Sequence, residues 1–262
     1  MKLTTLMTTS ALLLASIGGT TALAADGDHG GVYESNGLVE FIPNDEPTNP
    51  VDPTDPTNPV DPIDPTDPEG PNPGTSGPLS IDYASSLTFG KNKITNKDET
   101  YFADAQKLKD GTVRPNYVQV SDNRGTNGGW TLTVKQEGQF SNQGTQNKVL
   151  TGSVLTLVDG VAVSNVTDVT APITSAITLD PTGAASPVMN AAAKTGAGTW
   201  VDRFGTTEEM TINGETVQKN KAITLEVPGA TPKDAVKYNT KLTWTLADIP
   251  ENGSETPAEP TK

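Results

Sequence analysis

Two of the three tryptophans in this 262-residue chain lie in the same tripeptide, Trp130-Thr131-Leu132 and Trp244-Thr245-Leu246. An indole ring in a strand can stack on a sugar ring at the surface, or it can fill the core of a β-sheet protein. Alternate residues of a strand share a face, so Leu242 and Leu246 lie on the same side as Trp244, and this favours burial of Trp244. We expect partial exposure of Trp130, because Gly128-Gly129 before it opens the entrance of its strand.

The other reactive residues form no recognisable catalytic set. The only histidine is His29, near the N-terminus, and the chain contains no cysteine, so histidine triads, thiolate nucleophiles and Cys/His metal sites are excluded. Glu208-Glu209 and Asp122 are interpreted as solvated loop charges. The glycines of residues 125–129 precede a strand and not a helix, which does not suit phosphate binding. We therefore expect no enzyme, no cofactor and no metal site.

The N-terminal residues have the pattern of an export signal. Residues 1–24 combine Lys2, an apolar stretch from Leu6 to Ile17 and a small-residue end, which predicts a signal peptide cleaved before Ala25. No later segment approaches the roughly 18 consecutive apolar residues of a membrane span. We expect a secreted protein with a disordered tail at residues 251–262.

The net charge of −14 is unevenly distributed. Residues 25–78 contain twelve acidic and no basic residues, whereas residues 79–250 contain seventeen acidic and sixteen basic residues. The acidity therefore belongs to the N-terminal region and argues against a nucleic-acid partner there.

Two segments precede the predicted domain. Residues 25–45 form a short N-terminal segment in which Asn36-Gly37 predicts a β-hairpin at residues 31–41, which would either fold back or join a partner's sheet. Residues 46–78 repeat proline and aspartate, which predicts an extended polyproline II linker. Its role would be a spacer in the cell wall or a generic tether, with a ligand for proline-recognising domains as a third alternative.

Residues 79–250 predict one all-β domain, an antiparallel β-sandwich of Ig-like or jelly-roll-like type. Short β-branched and aromatic runs, separated by Gly, Asn, Asp and Pro, predict strands over residues 80–89, 117–121, 130–136, 152–158, 161–166, 173–179, 210–212, 223–227 and 238–246. One or two short helices are predicted, at residues 100–108 and 189–194.

The segment from Tyr238 to Pro250, YNTKLTWTLADIP, fits the pattern YxxxLTWxLxxxP. Together with LSIDYASSLTFG, the run RPNYVQVSDNRGTNGGWTLTVKQEGQF and the acidic proline segment, it makes the chain resemble the WxL surface proteins of low-GC Gram-positive bacteria. The resemblance implies a domain at residues 79–250 that binds peptidoglycan of the cell wall non-covalently. The residues that match its motifs are the binding candidates, namely Trp130, Leu132, Tyr238, Leu242, Thr243, Trp244, Leu246 and Pro250.

The resemblance also implies partners. Short members of the family look like components of a multi-protein surface complex that includes a membrane-anchored, WxL-interacting protein. The alternative function is an adhesin that binds host extracellular-matrix proteins, because some relatives are associated with matrix binding.

Overall fold

The computed structural model describes residues 32–249, so the predicted signal peptide and the tail at residues 251–262 lie outside the described part. The chain divides into two compact units, one ending at Glu40 and the other beginning at Phe41. Residues 32–40 contain no strand, and their side chains are exposed. The predicted hairpin is thus absent over its described part, and pairing of this segment with a partner's sheet stays a prediction.

The unit that begins at Phe41 is built from strands that pair only in antiparallel fashion. The strands are β1 (Val51–Asp52), β2 (Asp55–Pro59), β3 (Leu79–Ala84), β4 (Glu99–Asp104), β5 (Gln106–Lys107), β6 (Val113–Arg114), β7 (Tyr117–Asp122), β8 (Trp130–Gln136), β9 (Val154–Leu157), β10 (Gly160–Val163), β11 (Ile173–Thr174), β12 (Ile177–Thr178), β13 (Ser186–Ala191), β14 (Gly198–Phe204), β15 (Thr207–Ile212), β16 (Glu215–Val227) and β17 (Leu242–Ala247). The all-β prediction is confirmed, whereas the choice between Ig-like and jelly-roll-like topology stays a prediction.

Three larger sheets share one apolar core. The first sheet has the strand order β10-β14-β7-β3, the second β11-β13-β8-β17, and the third β12-β9-β16-β15 with β4 also paired to β16. Each sheet contributes buried residues to a single cluster, for example Val118 from the first, Leu132 from the second and Ile223 from the third. Burial of this apolar surface stabilises the fold.

The predicted helices are wrong, since residues 32–249 contain no helix. Residues 100–108 form β4 and β5, and residues 189–194 form the end of β13 and a turn. Pairing of β4 with the long strand β16 and burial of Met189 in the core explain the difference, because tertiary pairing outweighs the weak local helix propensity of both segments. Among the described residues no helix is long and apolar enough to cross a membrane.

The extended linker is also corrected, because residues 47–75 fold against the strands that follow, with contacts to β6, to Ser86 after β3 and to the outer face of the first sheet. Arg114 Nε donates to Asp52 Oδ2 at 2.7 Å, and Ser86 Oγ donates to Asp64 Oδ2 at 2.7 Å. The main-chain N–H of Val51 donates to Gln119 Oε1 at 2.8 Å. Val51 also packs against a buried cluster on that face, formed by Tyr83, Tyr117 and Val201.

The physical reason lies in the repeated tripeptide Asp-Pro-Thr. Asp52 Oδ1 accepts hydrogen bonds from both the N–H and the hydroxyl of Thr54, and Asp64 Oδ1 does the same for Thr66. Such aspartate-centred turns bend the chain at each repeat, where polyproline II would keep it straight. Although burial opposes ionisation of Asp52, the hydrogen bonds from Thr54 and Arg114 lower its pKa below the usual value.

Candidate functional site

The two tryptophan tripeptides, distant in sequence, lie on neighbouring strands. β17 pairs with β8, with Trp244 opposite Val134 and Leu246 opposite Leu132. β8 is flanked on its other side by β13, whereas β17 is the last strand of the second sheet. One motif therefore occupies a central strand and the other an edge strand.

Trp130 is completely buried, contrary to the partial exposure expected from its preceding glycines. Its Nε1 donates to the carbonyl oxygen of Gly196 at 3.0 Å. Gly129 does not open the strand but allows a close approach, because a Cβ there would lie 2.5 Å from the carbonyl oxygen of Ala191. Leu132 is also buried, so neither residue offers surface to a ligand in this arrangement.

Trp244 is only partly buried, although burial was expected from its leucine neighbours. Together with Leu242 and Leu246 it packs on the margin of the main core. The alternation along β17 was read correctly, but its place at the edge of the sheet leaves one flank of this row uncovered.

Two other motif residues have structural partners. Tyr238 Oη donates to the carbonyl oxygen of Asn147 at 2.6 Å and accepts from the N–H of Asp234 at 3.0 Å, so it joins two loops. Thr243 Oγ1 donates to Glu137 Oε1 at 2.7 Å on the sheet surface. Pro250 lies outside the described residues.

The outer face of the second sheet is polar. Residues of β8 and β17 that alternate with the tryptophans meet there, Thr245 opposite Thr133 and Thr243 opposite Lys135. Lys135 Nζ lies 3.0 Å from Glu137 Oε1, and the hydrogen bonds of Thr243 and Lys135 lower the pKa of Glu137. We call the set Thr133, Lys135, Thr243 and Thr245 the polar face. It presents hydroxyls and an ammonium group that is paired with the carboxylate of Glu137.

An open cleft of about 500 Å³ lies between residues 64–75, the edge strand β3 of the first sheet and the edge strand β17 of the second. Its apolar lining includes Ile81, Leu87, Phe140, Leu155, Leu242 and Trp244. On the opposite side of the fold, edge strands β10 and β11 are joined, since Thr174 Oγ1 donates to the carbonyl oxygen of Gly160 at 2.8 Å. At the other pair of edges β3 and β17 approach each other without pairing. We call the opening beside them the β3–β17 cleft.

The free edge of β17 borders this cleft. The N–H of Glu137 donates to the carbonyl oxygen of Lys241 at 2.8 Å, which fixes the phase of the antiparallel pairing. Hydrogen-bonded pairs alternate along such a ladder, so Leu242, Trp244 and Leu246 direct their N–H and C=O groups away from β8. Among residues 32–249 no strand pairs with this edge.

Two buried carboxylates lie in the first sheet, but they occupy opposite faces. Asp82 accepts hydrogen bonds from Ser80, Gln119 and Ser121 on the outer face, and burial nevertheless raises its pKa. Asp202 lies opposite Val118 on the core face. Burial raises the pKa of Asp202 to about 7, and the nearby N–H of Val161 offsets only part of this rise. Neither carboxylate oxygen of Asp202 accepts a hydrogen bond of normal geometry. A sheet separates the two groups, so they cannot act together on one substrate.

A family model described as "WxL domain surface cell wall-binding" matches residues 28–250. The chain belongs to this family. It is accordingly a cell-surface protein that binds the cell wall. No curated protein and no solved structure matches the chain.

The two tryptophan-leucine motifs of this WxL domain have different locations in the structure. Trp130 and Leu132 build the core, whereas Leu242 and Trp244 line the β3–β17 cleft. Alternation along the two strands already predicts Thr133, Lys135 and Thr245 on the face opposite the tryptophans, but these residues are outside the motif and were not among the binding candidates.

Proposed function

We propose that this chain is a non-catalytic protein, secreted by a Gram-positive bacterium, that attaches non-covalently to peptidoglycan. The match of residues 28–250 to a surface cell wall-binding family carries this proposal. The opposite faces occupied by Asp82 and Asp202 support the absence of catalysis by a carboxylate pair, which needs both groups at one substrate.

The polar face is the proposed contact surface for the wall polymer. Peptidoglycan glycans present hydroxyl and N-acetyl groups, which pair with hydroxyl donors and acceptors. Thr133 and Thr245 face each other across β8 and β17, and Thr245 is exposed. Lys135 adds a cation that suits the carboxylates of stem peptides. In this proposal the motif residues Trp130 and Leu132 act by holding β8, whereas Thr243 is a direct contact.

A sedimentation assay with insoluble peptidoglycan tests the proposal. The chain without residues 1–24 should co-sediment and be released by denaturant without digestion of the wall. Loss of two hydroxyl contacts in Thr133→Val/Thr245→Val should cost about 2 kcal/mol, roughly thirtyfold in affinity, while valine preserves the strand. Thr211→Val on the exposed part of β15 is the matched control. Unchanged binding by the double variant would exclude the polar face.

We also propose that the protein works in a multi-protein surface complex, with a membrane-anchored WxL-interacting protein as a partner. The exposed apolar side chains of residues 32–42 support this role, because grouped exposed apolar side chains commonly mark a protein-binding site. Binding to collagen or fibronectin in place of peptidoglycan in the same sedimentation assay would favour the adhesin alternative.

A further inference from the structure

A second cavity lies between the proline segment of residues 47–75 and the strand β3. It is an open pocket of about 270 Å³, and Asp82 and Tyr83 of β3 form part of its wall. Five prolines of the segment also line it, namely Pro47, Pro50, Pro62, Pro71 and Pro73. We call this cavity the proline pocket. Its volume is below the range of pockets that hold drug-sized ligands, so it suits a smaller chemical group.

A β-bulge brings two consecutive residues of β3 to the proline pocket. The pairing of β3 with β7 shifts between Ile81 and Tyr83, so Asp82 has no partner residue on β7. Neighbouring residues of a regular strand point to opposite faces, whereas a bulge re-aims a side chain. Asp82 accepts a hydrogen bond from Ser121 Oγ at 2.6 Å on the outer face. Tyr83 packs on Tyr117 on the same face, with 4.8 Å between the ring centroids. The bulge therefore adds a carboxylate next to an aromatic ring.

The buried part of the pocket wall offers hydrogen-bond acceptors. Gln119 Nε2 donates to Asp82 Oδ2 at 2.9 Å and to the carbonyl oxygen of Asn49 at 3.0 Å, which brings these two pocket residues together. Burial raises the pKa of Asp82, although Ser121, Ser80 and Gln119 donate hydrogen bonds to it. Among residues 32–249 no Lys or Arg forms an ion pair with Asp82. A buried carboxylate without a counter-charge favours a cation as ligand.

We propose that the proline pocket binds a primary ammonium group on a short alkyl chain, with Asp82 as its counter-ion. An ammonium group carries three N–H donors and no acceptor, which matches the carboxylate of Asp82 and the carbonyl of Asn49. The methylene groups of the alkyl chain would lie against the prolines and the ring of Tyr83, as long charged side chains bury their stems on apolar surface. The exposed Asp61 adds a second carboxylate, so the acidic groups of the pocket outnumber its one cation, Lys109.

Two other kinds of occupant fit the pocket less well. A metal ion needs several ligating side chains, and residues 32–249 contain no group of three or more His, Cys, Asp or Glu side chains that could hold one. A neutral sugar would leave the buried charge of Asp82 without a counter-charge, which is costly. The amine has two potential sources, a free amino group of a peptidoglycan stem peptide or the lysine side chain of a soluble peptide. The first source rests on the proposed wall attachment, whereas the second does not.

An NMR titration tests the proposal on the chain without residues 1–24. The ligand is Nα-acetyl-lysine amide, and the side-chain amide signal of Gln119 reports on the pocket because this group contacts Asp82. We expect saturable binding that is at least roughly tenfold tighter than binding of Nα,Nε-diacetyl-lysine amide, which lacks the charge. Equal binding of the two compounds, saturable binding of N-acetylglucosamine at this signal, or no shift with the lysine compound would overturn the proposal.

Charge variants assign the binding to the pocket. Asp82→Asn keeps the size of the side chain and removes its charge, so the lysine compound should bind at least roughly tenfold more weakly. Asp61→Asn and Lys109→Gln change only exposed charges, and they keep the test valid if Asp82→Asn does not fold. They should weaken and tighten binding, respectively, by roughly two- to threefold. Asp168→Asn, exposed and outside the pocket, is the matched control. Weaker binding by Lys109→Gln, or unchanged binding by both aspartate variants of the pocket, would overturn the proposal.

Sedimentation with peptidoglycan whose amino groups have been acetylated distinguishes the two sources of the amine. If the wall supplies it, the chain should bind acetylated peptidoglycan at least roughly threefold more weakly than untreated peptidoglycan, and Nα-acetyl-lysine amide should compete. Unchanged sedimentation together with saturable binding of the lysine compound would support the pocket and assign it to a soluble peptide. Intact sedimentation without lysine binding would refute this inference alone, whereas lysine binding without any sedimentation would refute only the proposed wall attachment.

Discussion

Replacement of Trp130 by alanine should destabilise the domain far more than replacement of Trp244. Trp130 is fully buried, and truncation of such a ring costs about 3 to 5 kcal/mol through lost burial and the cavity left behind. The carbonyl of Gly196 would also lose its donor, at a cost of about 1 to 3 kcal/mol. Trp244 is partly buried beside an open cleft that water can enter, so Trp244→Ala should cost only about 1 to 3 kcal/mol.

Urea denaturation followed by circular dichroism measures these losses of unfolding free energy. Each variant should lower the urea concentration at the midpoint and leave the slope of free energy against urea unchanged. Trp130→Phe separates the contribution of apolar burial from that of the hydrogen bond to Gly196, because phenylalanine retains most of the apolar volume and lacks the N–H donor. This variant should cost about 1 to 3 kcal/mol. Equal losses for Trp130→Ala and Trp244→Ala, or a loss below about 1 kcal/mol for Trp130→Ala, would refute the division of the motif into core and edge residues.

Three further predictions concern charge and the packed proline segment. Because burial raises the pKa of Asp202 from 3.8 to about 7, the fold favours its protonated form, so the contribution of Asp202 to stability should be complete below about pH 4 and should fall by up to about 4 kcal/mol as pH rises to 7; Asp202→Asn should remove this part of the slope in denaturation curves from pH 4 to 8. Arg114→Ala should cost about 1 to 3 kcal/mol at pH 7 by leaving Asp52 without its partner, and the difference from the unmodified chain should shrink as pH falls below the lowered pKa of Asp52, whereas an undiminished difference at pH 2 would argue against an ionic origin. Deletion of residues 46–78 should lower the melting temperature and expose Tyr83 and Tyr117 to solvent, whereas an unchanged melting temperature would mean that the segment contributes no stability.

The sequence pattern was sufficient to predict the bounds and the buried face of a strand where apolar and polar residues alternate regularly. The predicted strand at residues 130–136 has the observed bounds of β8, and its burial alternates as expected. β14 was missed, although it lies between β7 and β10 and carries the buried Trp200. Asp202 and Arg203 interrupt its apolar pattern, and only the pairing with β7 shows that this stretch is central.

The exposures of the two tryptophans were assigned the wrong way round because exposure depends on a strand's neighbours. Periodicity identifies which side chains share a face, but it does not identify whether a sheet continues beyond the strand. β8 has partners on both sides and β17 on one. The same circumstance leaves the outer main-chain groups of β17 without a partner strand among residues 32–249.

The prediction of an extended linker at residues 46–78 was wrong because it rested on the proline and aspartate content alone. Proline restricts its own φ, but the aspartate before it and the threonine after it decide the direction of the chain by closing a turn, as at Asp52 and Asp64. The outer face of the first sheet carries Gln119 and Ser121, polar residues typical of a solvent-exposed face, yet both are buried. Asn49 and Val51 satisfy Gln119, so the proline segment supplies the hydrogen bonds that water would otherwise make. A segment that is folded against the strands in this way cannot serve as an extended rod.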